Sequence, residues 1–231
     1  MPNIFAISDL HLSFNTDKPM NVFGSRWDNY EEKIKENWQS KISSDDVILM
    51  PGDTSWETYV RDAYDDFKFI EDLNGTKVIT KGNHDYWWET LSKLNNFLSE
   101  KNLKTIKFVH NTCEMFGNVA VCGTKGYPET EKEPESDDEK KLYNRELERL
   151  RNAIATAKKT GAEKIIVMLH YPPGPNTAFA RCLQEEKVDF CVFGHLHGKY
   201  DSAVQGDVRG VEYKLVSCDY LRFDPIFLCE F

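Results

Sequence analysis

Short runs of apolar, mostly β-branched residues alternate along this chain with stretches whose apolar residues recur every three or four positions. Five such runs, at 4–8, 47–50, 77–80, 165–169 and 190–194, predict buried strands. Two intervening stretches have apolar residues at helical spacing: Trp27, Tyr30, Ile34 and Trp38, then Tyr59, Ala63, Phe67 and Ile70. Strands that alternate with helices predict an α/β protein with a largely parallel sheet.

A longer helix is predicted from about Asp137 to Thr160. Ser136 and Glu139 have the spacing of a capping box at its start, and Gly161 suits its end. The acidic stretch 129–141 is interpreted as a solvated loop that leads into this helix, with a lid over a functional site as the alternative. Four further apolar segments, at 105–111, 118–123, 211–218 and 225–231, predict extra strands in a second sheet or an antiparallel flank.

Composition narrows the class of protein. The 231 residues, 40% hydrophobic and 29% charged, fit a soluble globular protein, expected to form a single domain over 1–231. A net charge of -9 argues against non-specific binding to nucleic acid or to a membrane surface. The N-terminus has no signal-peptide pattern and no apolar run approaches a membrane span, so a cytoplasmic location is expected. The sequence leaves the oligomeric state open.

The six cysteines form no CxxC pair, and most lie within apolar runs. Disulfides or a thiolate metal site are the functional alternatives. We expect buried, reduced thiols instead.

Each of the five predicted buried strands ends in potential metal ligands. In chain order these are Asp9 and His11, Asp53, Asn83 with His84 and Asp85, His170, and finally His195 and His197. Ligand sites of open α/β sheets lie off the carboxyl ends of the strands. Five of the six histidines lie there, and only His110, to which we assign a structural role, lies elsewhere.

The types of these side chains indicate the kind of ion. Carboxylate, amide and imidazole ligands without a thiolate suit Mn, Fe, Zn, Co or Ni better than Ca or Mg. The set of seven ligands exceeds what one catalytic ion with an open position needs. It suits two ions that share a bridging carboxylate, as in binuclear hydrolases.

The motifs Asp9-x-His11, Gly52-Asp53, Gly82-Asn83-His84-Asp85, His170 and Gly194-His195-x-His197 resemble, in this order, those of the calcineurin-like metallophosphoesterases. The resemblance implies an α/β fold with a four-layer α/β/β/α sandwich of two mixed sheets. It also implies two divalent transition-metal ions (Mn, Fe, Zn or Co, with Mn favoured). Their implied ligands are Asp9, His11 and His197 for the first ion, Asn83, His170 and His195 for the second, and Asp53 as the bridge.

The resemblance further implies a metal-dependent phosphoesterase, in which a hydroxide held between the two metals attacks phosphorus. His84 resembles the catalytic histidine, which would give a proton to the leaving oxygen, with Asp85 or Glu57 orienting it. The protein Ser/Thr phosphatase branch carries a phosphate-binding arginine just after its Gly-Asp motif, and here "GDTSWETY" (52–59) has none. We therefore expect a small phosphodiester or phosphomonoester substrate. A phosphoprotein phosphatase and a catalytically silent interaction protein on the same fold are the alternatives.

Aromatic and basic residues accompany these motifs. The aromatic residues Trp56, Trp87, Trp88, Tyr127 and Tyr171 could stack on a nucleobase, but packing at the bases of the loops is the favoured interpretation. Lys81, Lys125 and Arg181 are candidate phosphate contacts, or else plain surface charges.

Overall fold

All five predicted buried runs form strands in the structure, a computed structural model that describes residues 1–128, 134 and 136–231. Eleven strands and five α-helices form within these ranges. In chain order they are β1 (Asn3–Ala6), α1 (Tyr30–Lys41), β2 (Val47–Met50), α2 (Tyr64–Glu71), β3 (Thr76–Ile79), α3 (Leu91–Glu100), β4 (Ile106–Phe108), β5 (Thr112–Phe116), β6 (Val119–Thr124), α4 (Asp137–Lys159), β7 (Lys164–Leu169), α5 (Ala178–Glu185), β8 (Phe190–Phe193), β9 (Gly206–Val208), β10 (Val211–Leu215) and β11 (Ile226–Glu230).

The strands form two mixed sheets. The first has the order β11-β1-β2-β3-β4. Its strands β1 to β4 are parallel, and β11 pairs antiparallel with β1. The second has the order β5-β6-β7-β8-β10-β9, with parallel β6, β7, β8 and β10 between two antiparallel edge strands.

Strand β7 shows how the layers are built. Its side chains alternate between two faces. Ile166 and Met168 lie in the apolar cluster between the sheets, and Val167 and Leu169 lie in the cluster under α4 and α5. On the outer face of the first sheet, a third cluster joins strand residues to α1, α2 and α3. The predicted four-layer α/β/β/α sandwich with two mixed sheets is therefore confirmed.

The helical predictions hold where the apolar side chains are buried. Tyr30, Ile34 and Trp38 are all buried on α1, whereas Trp27 lies just ahead of it in a 3₁₀ turn. Tyr59 is an exception, because it lies 59% exposed ahead of α2 and contributes nothing to its buried face.

Helix α4 begins and ends close to the predicted residues. Ser136 and Glu139 form the predicted capping box, and Gly161 follows the helix with a φ of 77°. Of the acidic stretch 129–141, residues 129–133 and 135 lie outside the described residues, so the lid alternative falls largely outside them as well.

Four elements were not predicted: the helices α3 and α5 and the edge strands β5 and β9. Every residue of these two strands is exposed or only partly buried, so neither shows a buried apolar run. All six cysteines are free, as expected, and five of them are buried. Within the ranges given above, no helix has both the length and the apolar character that crossing a bilayer requires.

Candidate metal centre

Ligands from both sheets converge where the strands end. Strands β1, β2 and β3 of the first sheet lead into the loops of Asp9, Asp53 and Asn83, and β7 and β8 of the second lead into those of His170 and His195. Two groups have possible ligand atoms that all lie within 4.8 Å of one another. One consists of Asp9, His11 and His197, and the other of Asp9, Asp53 and His170.

His170 is held so that one ring nitrogen faces the centre. Its Nδ1 lies 3.0 Å from the carbonyl oxygen of Pro51, which can only accept a hydrogen bond. A neutral ring that donates from Nδ1 carries its lone pair on Nε2. That Nε2 lies 2.6 Å from Asn83 Oδ1 and 3.5 Å from Asp53 Oδ2. The lone pair of His170 Nε2 and the oxygens of Asn83 and Asp53 thus face one another without a proton between them, and a bound cation would satisfy all three.

His197 is oriented in the same way by Asp219, a residue that the sequence analysis missed. The Nδ1 of His197 lies 2.9 Å from Asp219 Oδ1, and its Nε2 lies 3.3 Å from the Nε2 of His11. Asp219 also accepts a hydrogen bond from the hydroxyl of Tyr200 and lies 3.5 Å from Nη1 of Arg26. Its position follows the rule that identified the other ligands, because it comes shortly after the parallel strand β10.

The two predicted carboxylate ligands are fully buried, and backbone amides hold them. Asp53 Oδ1 accepts from the backbone N–H of His84 at 2.8 Å, and Asp9 Oδ1 accepts from that of His195 at 3.0 Å. Burial raises the pKa of Asp9, and burial together with the charges of Asp85 and Asp9 raises that of Asp53. Buried carboxylates of this kind gain much from a bound cation.

Most imidazoles of the site are neutral near pH 7. Burial and the neighbouring histidines lower the pKa of His11 and of His170, and they lower that of His195 to about 4. For His197, burial acts in the same direction, but Asp219 and Asp9 outweigh it and raise the pKa. Neutral imidazole is the form that coordinates a metal ion, so the imidazole and carboxylate donors fit divalent metal ions.

Two predicted ligands are placed differently from the rest. His195 belongs to neither close group, and its ring packs against the rings of His170 and Tyr171, at centroid distances of 5.1 and 4.6 Å. Asn83 reaches the centre through the contact of its side-chain oxygen with His170.

The backbone is strained at the ligands themselves. Asp9, His11, Asp53 and His195 have φ values of 58°, 48°, 52° and 72°, in the left-handed region. For a non-glycine residue this conformation costs about 1–2 kcal/mol, and it is found disproportionately at functional sites.

Two glycines allow the loops to approach closely. A Cβ at Gly82 would lie 2.1 Å from Asp53 Oδ1, and one at Gly194 would lie 2.3 Å from Asp9 Oδ2. Any larger residue at either position would displace a carboxylate ligand.

Asp85, predicted to orient His84, has other partners. Its carboxylate accepts hydrogen bonds from the backbone amides of Asp53, Gly82 and Thr54, at 2.7–2.9 Å, and from the indole of Trp87. In the part of the chain that the structure describes, none of its hydrogen bonds involves the ring of His84. The geometry thus shows Asp85 as a clamp that joins the Asp53 loop to the Gly82 loop.

His84 itself is half-buried at the edge of the centre. Its ring lies 4.5 Å from that of Trp56 and 5.7 Å from that of His11. Its Nδ1 is buried and has no hydrogen-bond partner among the described residues, and the same holds for Oε1 of Glu57. Neither predicted acid is therefore bonded to this ring.

The aromatic residues of the loops mainly pack. Trp56 stacks on His11 with 4.7 Å between centroids and 22° between planes, and Trp87 is buried in the core. Tyr127 contacts Tyr143 on α4. Among the basic candidates, Arg181 donates to the carbonyl oxygen of Asn176 on the surface, while Lys81 and Lys125 line a cavity.

Comparison with known proteins gives a consistent result. A family profile described as calcineurin-like phosphoesterase matches residues 2–199. Among solved structures, the chain is similar to AQ665 of Aquifex aeolicus, a protein of unknown function, with 17% identity and a TM-score of 0.54 over 98% of this chain and 96% of that one. It is also similar to the phosphopantetheinyl hydrolase PptH of Mycobacterium tuberculosis, with 12% identity and a TM-score of 0.59 over 98% and 95% of the two chains.

A third similar structure is the sulfate thiohydrolase SoxB of Thermus thermophilus, with 13% identity and a TM-score of 0.54 over 94% of this chain and 52% of that one. The comparison with curated proteins finds no match. At such low identities, the likeness to the three structures shows a shared fold.

Proposed function

This chain belongs to the calcineurin-like phosphoesterase family, and we propose that it hydrolyses a small phosphodiester or phosphomonoester with two divalent transition-metal ions. The proposal rests above all on the convergence of buried carboxylates and imidazoles from both sheets. A catalytically silent protein on this fold would have no need to keep every ligand and the strained backbone that presents them.

The geometry supports a division of the ligands between the two ions. Asp9, His11 and His197 would hold the first, and Asn83, His170 and His195 the second. Asp53 would be shared, because its Oδ2 lies 3.8 Å from Nε2 of His11 and 3.5 Å from Nε2 of His170. Such ions, when bound, supply positive charge for the phosphate oxygens and a water of lowered pKa. Manganese is the favoured metal.

His84 is proposed to protonate the leaving oxygen of the ester. Its backbone N–H is fixed on Asp53, so the ring is kept beside the centre. Burial and the charges of His197 and Lys18 lower the pKa of this ring. The negative charge of a bound phosphate ester acts in the opposite direction. The substrate would thus help the ring to hold the proton that it transfers.

The residues that follow Asp53 favour a small substrate over a phosphoprotein substrate. In the segment where the protein phosphatases carry an arginine, this chain has Trp56, which stacks on His11 and contacts His84. An indole at this place offers no bidentate contact for a phosphate dianion, as an arginine would.

Metal content and turnover test the proposal together. Protein loaded with Mn²⁺ should hold two ions by elemental analysis and should hydrolyse bis-p-nitrophenyl phosphate and p-nitrophenyl phosphate. Asp53→Asn should lose at least one ion and more than about 100-fold of the turnover, as expected for a ligand of both ions. Asp45→Asn, which removes an exposed carboxylate, is the matched control. Saturated wild-type protein that holds at most one ion would contradict the two-ion centre.

A separate variant tests the role of His84. His84→Asn should keep both ions but lose about 10²–10⁴-fold of the turnover. The loss should be larger for phenyl phosphate than for p-nitrophenyl phosphate, because the poorer leaving group depends more on protonation. Equal losses on the two esters would show that His84 does not act as the acid.

A further inference from the structure

A cavity of about 610 Å³ opens beside the metal centre, and its lining includes two lysines and two arginines but only two acidic residues. Its size is typical of a small-molecule site. The residues that matter for its chemistry are Lys81, Lys125, Arg145, Arg149, His110 and Trp88. Lys81 lies two residues before Asn83, and the backbone of Lys125 contacts that of His170, whereas both arginines belong to α4.

The cavity and the metal centre lie within reach of one small molecule. Lys81 precedes Asn83 by two residues, so their Cα atoms are at most about 7.6 Å apart. The backbone oxygen of Lys125 accepts hydrogen bonds from the N–H groups of His170 and Tyr171, both at 3.1 Å. The Nζ of Lys125 lies 5.8 Å from the ring centroid of Tyr171, which contacts His195.

The acidic residues of the cavity are already paired with other groups. Glu146 is buried, and its carboxylate accepts from the hydroxyl of Thr124 at 3.0 Å and from Arg149 at 2.5 Å. Glu89 is paired with Lys93 on the adjoining turn. The buried Glu146 thereby anchors the guanidinium of Arg149 at the cavity wall.

The two lysines have no such partner. In residues 1–128, 134 and 136–231, neither Lys81 nor Lys125 forms an ion pair or a side-chain hydrogen bond. This excess of positive charge stands out in a protein with a net charge of -9. Burial, followed by the charges of Arg149, Lys81 and Lys125, lowers the pKa of His110 to about 4. His110 is therefore a neutral ring in the cavity wall.

We propose that this cavity is a second anion site, which binds a phosphate group of the substrate other than the one that is hydrolysed. The inference rests on the proposed function, since it concerns the substrate of that centre. Arg149 offers a planar pair of donors for phosphate oxygens, and the lysines add point charges. Trp88 supplies an apolar wall for the part of the molecule that joins the two phosphates. The substrate class is thus a small molecule with two separated phosphate groups.

Binding to the metal-free protein tests the site without turnover. Chelator-treated protein is titrated with inorganic pyrophosphate by calorimetry at low salt, because screening weakens such contacts. Lys125→Gln and Arg149→Gln should each weaken binding at least about tenfold, as the loss of a charged hydrogen bond implies. Arg151→Gln removes the same charge from an exposed position of α4 and should change nothing. Lys125→Gln breaks no ion pair, so its result holds even if Arg149→Gln is unstable.

Competitive inhibition of the Mn²⁺-loaded enzyme then relates the cavity to the centre. Adenosine 3′,5′-bisphosphate should inhibit hydrolysis of bis-p-nitrophenyl phosphate at least about tenfold more strongly than adenosine 5′-monophosphate. This ratio should approach one in Lys125→Gln and stay unchanged in Arg151→Gln. Turnover with equal inhibition by the two nucleotides, or pyrophosphate binding that the variants leave intact, would overturn the inference. An absence of turnover on every ester would instead contradict the proposed function.

Discussion

Replacing Asp219 with asparagine should weaken binding of one metal ion and leave the other nearly unaffected. Asp219 contacts only His197 among the proposed ligands, and it does so through a 2.9 Å hydrogen bond to Nδ1. The carboxylate makes the ring a better electron donor and fixes its orientation toward the centre. His170, proposed for the second ion, is oriented by the carbonyl oxygen of Pro51 and does not depend on Asp219.

The expected loss of metal affinity follows from replacing the charged carboxylate acceptor of His197 with a neutral amide oxygen. Hydrogen bonds to a charged group contribute about 1.5–3 kcal/mol, and those between neutral groups about 0.5–1.5 kcal/mol. The difference of about 1–1.5 kcal/mol corresponds to a loss of roughly tenfold in affinity for the first ion. Asparagine keeps one oxygen for His197 and can direct its amide to the hydroxyl of Tyr200, so the fold should tolerate the change.

The assay is a titration of metal-free protein with Mn²⁺ against a competing chelator, which resolves the two binding steps. Asp201→Asn, at an exposed position of the same C-terminal region, is the control. Folded Asp219→Asn protein with both affinities within twofold of wild type would show that Asp219 does not support metal binding. An equal loss at both ions would also refute it, because the orientation of His197 would then not be what Asp219 provides.

Three further predictions concern the scaffold. Asp85→Asn should lower the free energy of unfolding of the metal-free protein by about 2–4 kcal/mol in urea, because its amide would face backbone N–H donors; unchanged stability with lost turnover would favour a catalytic role instead. Gly194→Ala should abolish metal binding in calorimetry, whereas Gly161→Ala, with no atom within 4 Å of the added Cβ, should retain it. Burial raises the pKa of Asp66 from 3.8 to about 6. Between about pH 4 and pH 6 the carboxyl group of Asp66 keeps its proton in the folded state and has lost it in the unfolded chain. The free energy of unfolding should therefore fall as pH rises through this range. Asp66→Asn should flatten this slope, and identical slopes would contradict the assignment.

Much of the fold could be predicted because the buried strands are short apolar runs. Strands β2 and β7, buried along nearly their whole length, are visible in the sequence as "VILM" and "IIVML". The edge strand β5 could not be found in this way, because only its pairing with β6 makes it a strand. Helix α3 was missed as well, although Leu94, Phe97 and Leu98 are buried on one face of it.

Within the candidate centre, the types of the ligands could likewise be predicted from the sequence, whereas their hydrogen-bond partners could not. The clusters after β1, β2, β3, β7 and β8 could be recognised because a polar residue after a buried strand is conspicuous. Asp85 belongs to such a cluster, yet its carboxylate binds the backbone of two loops. These hydrogen bonds form because the folded loops place the backbone amides of Asp53 and Gly82 next to Asp85. Asp219 was missed because its contact with His197, which lies 22 residues earlier in the chain, is not visible in the local sequence after β10.

The layered α/β class and the types of the ligands follow from the order of residues along the chain, because periodic burial and the chemistry of side chains are local properties. Long-range packing fixes which nitrogen of His170 and of His197 faces the centre, and which cations line the neighbouring cavity. The orientation of His170 depends on the loop after β2 of the other sheet. That of His197 depends on the loop after β10, in its own sheet. Arg149 reaches the cavity from α4, far from Lys81 in the chain, because Glu146 anchors its side chain to Thr124 at the end of β6. Such long-range contacts have no signal in a local pattern, since they arise only when distant segments of the chain pack together.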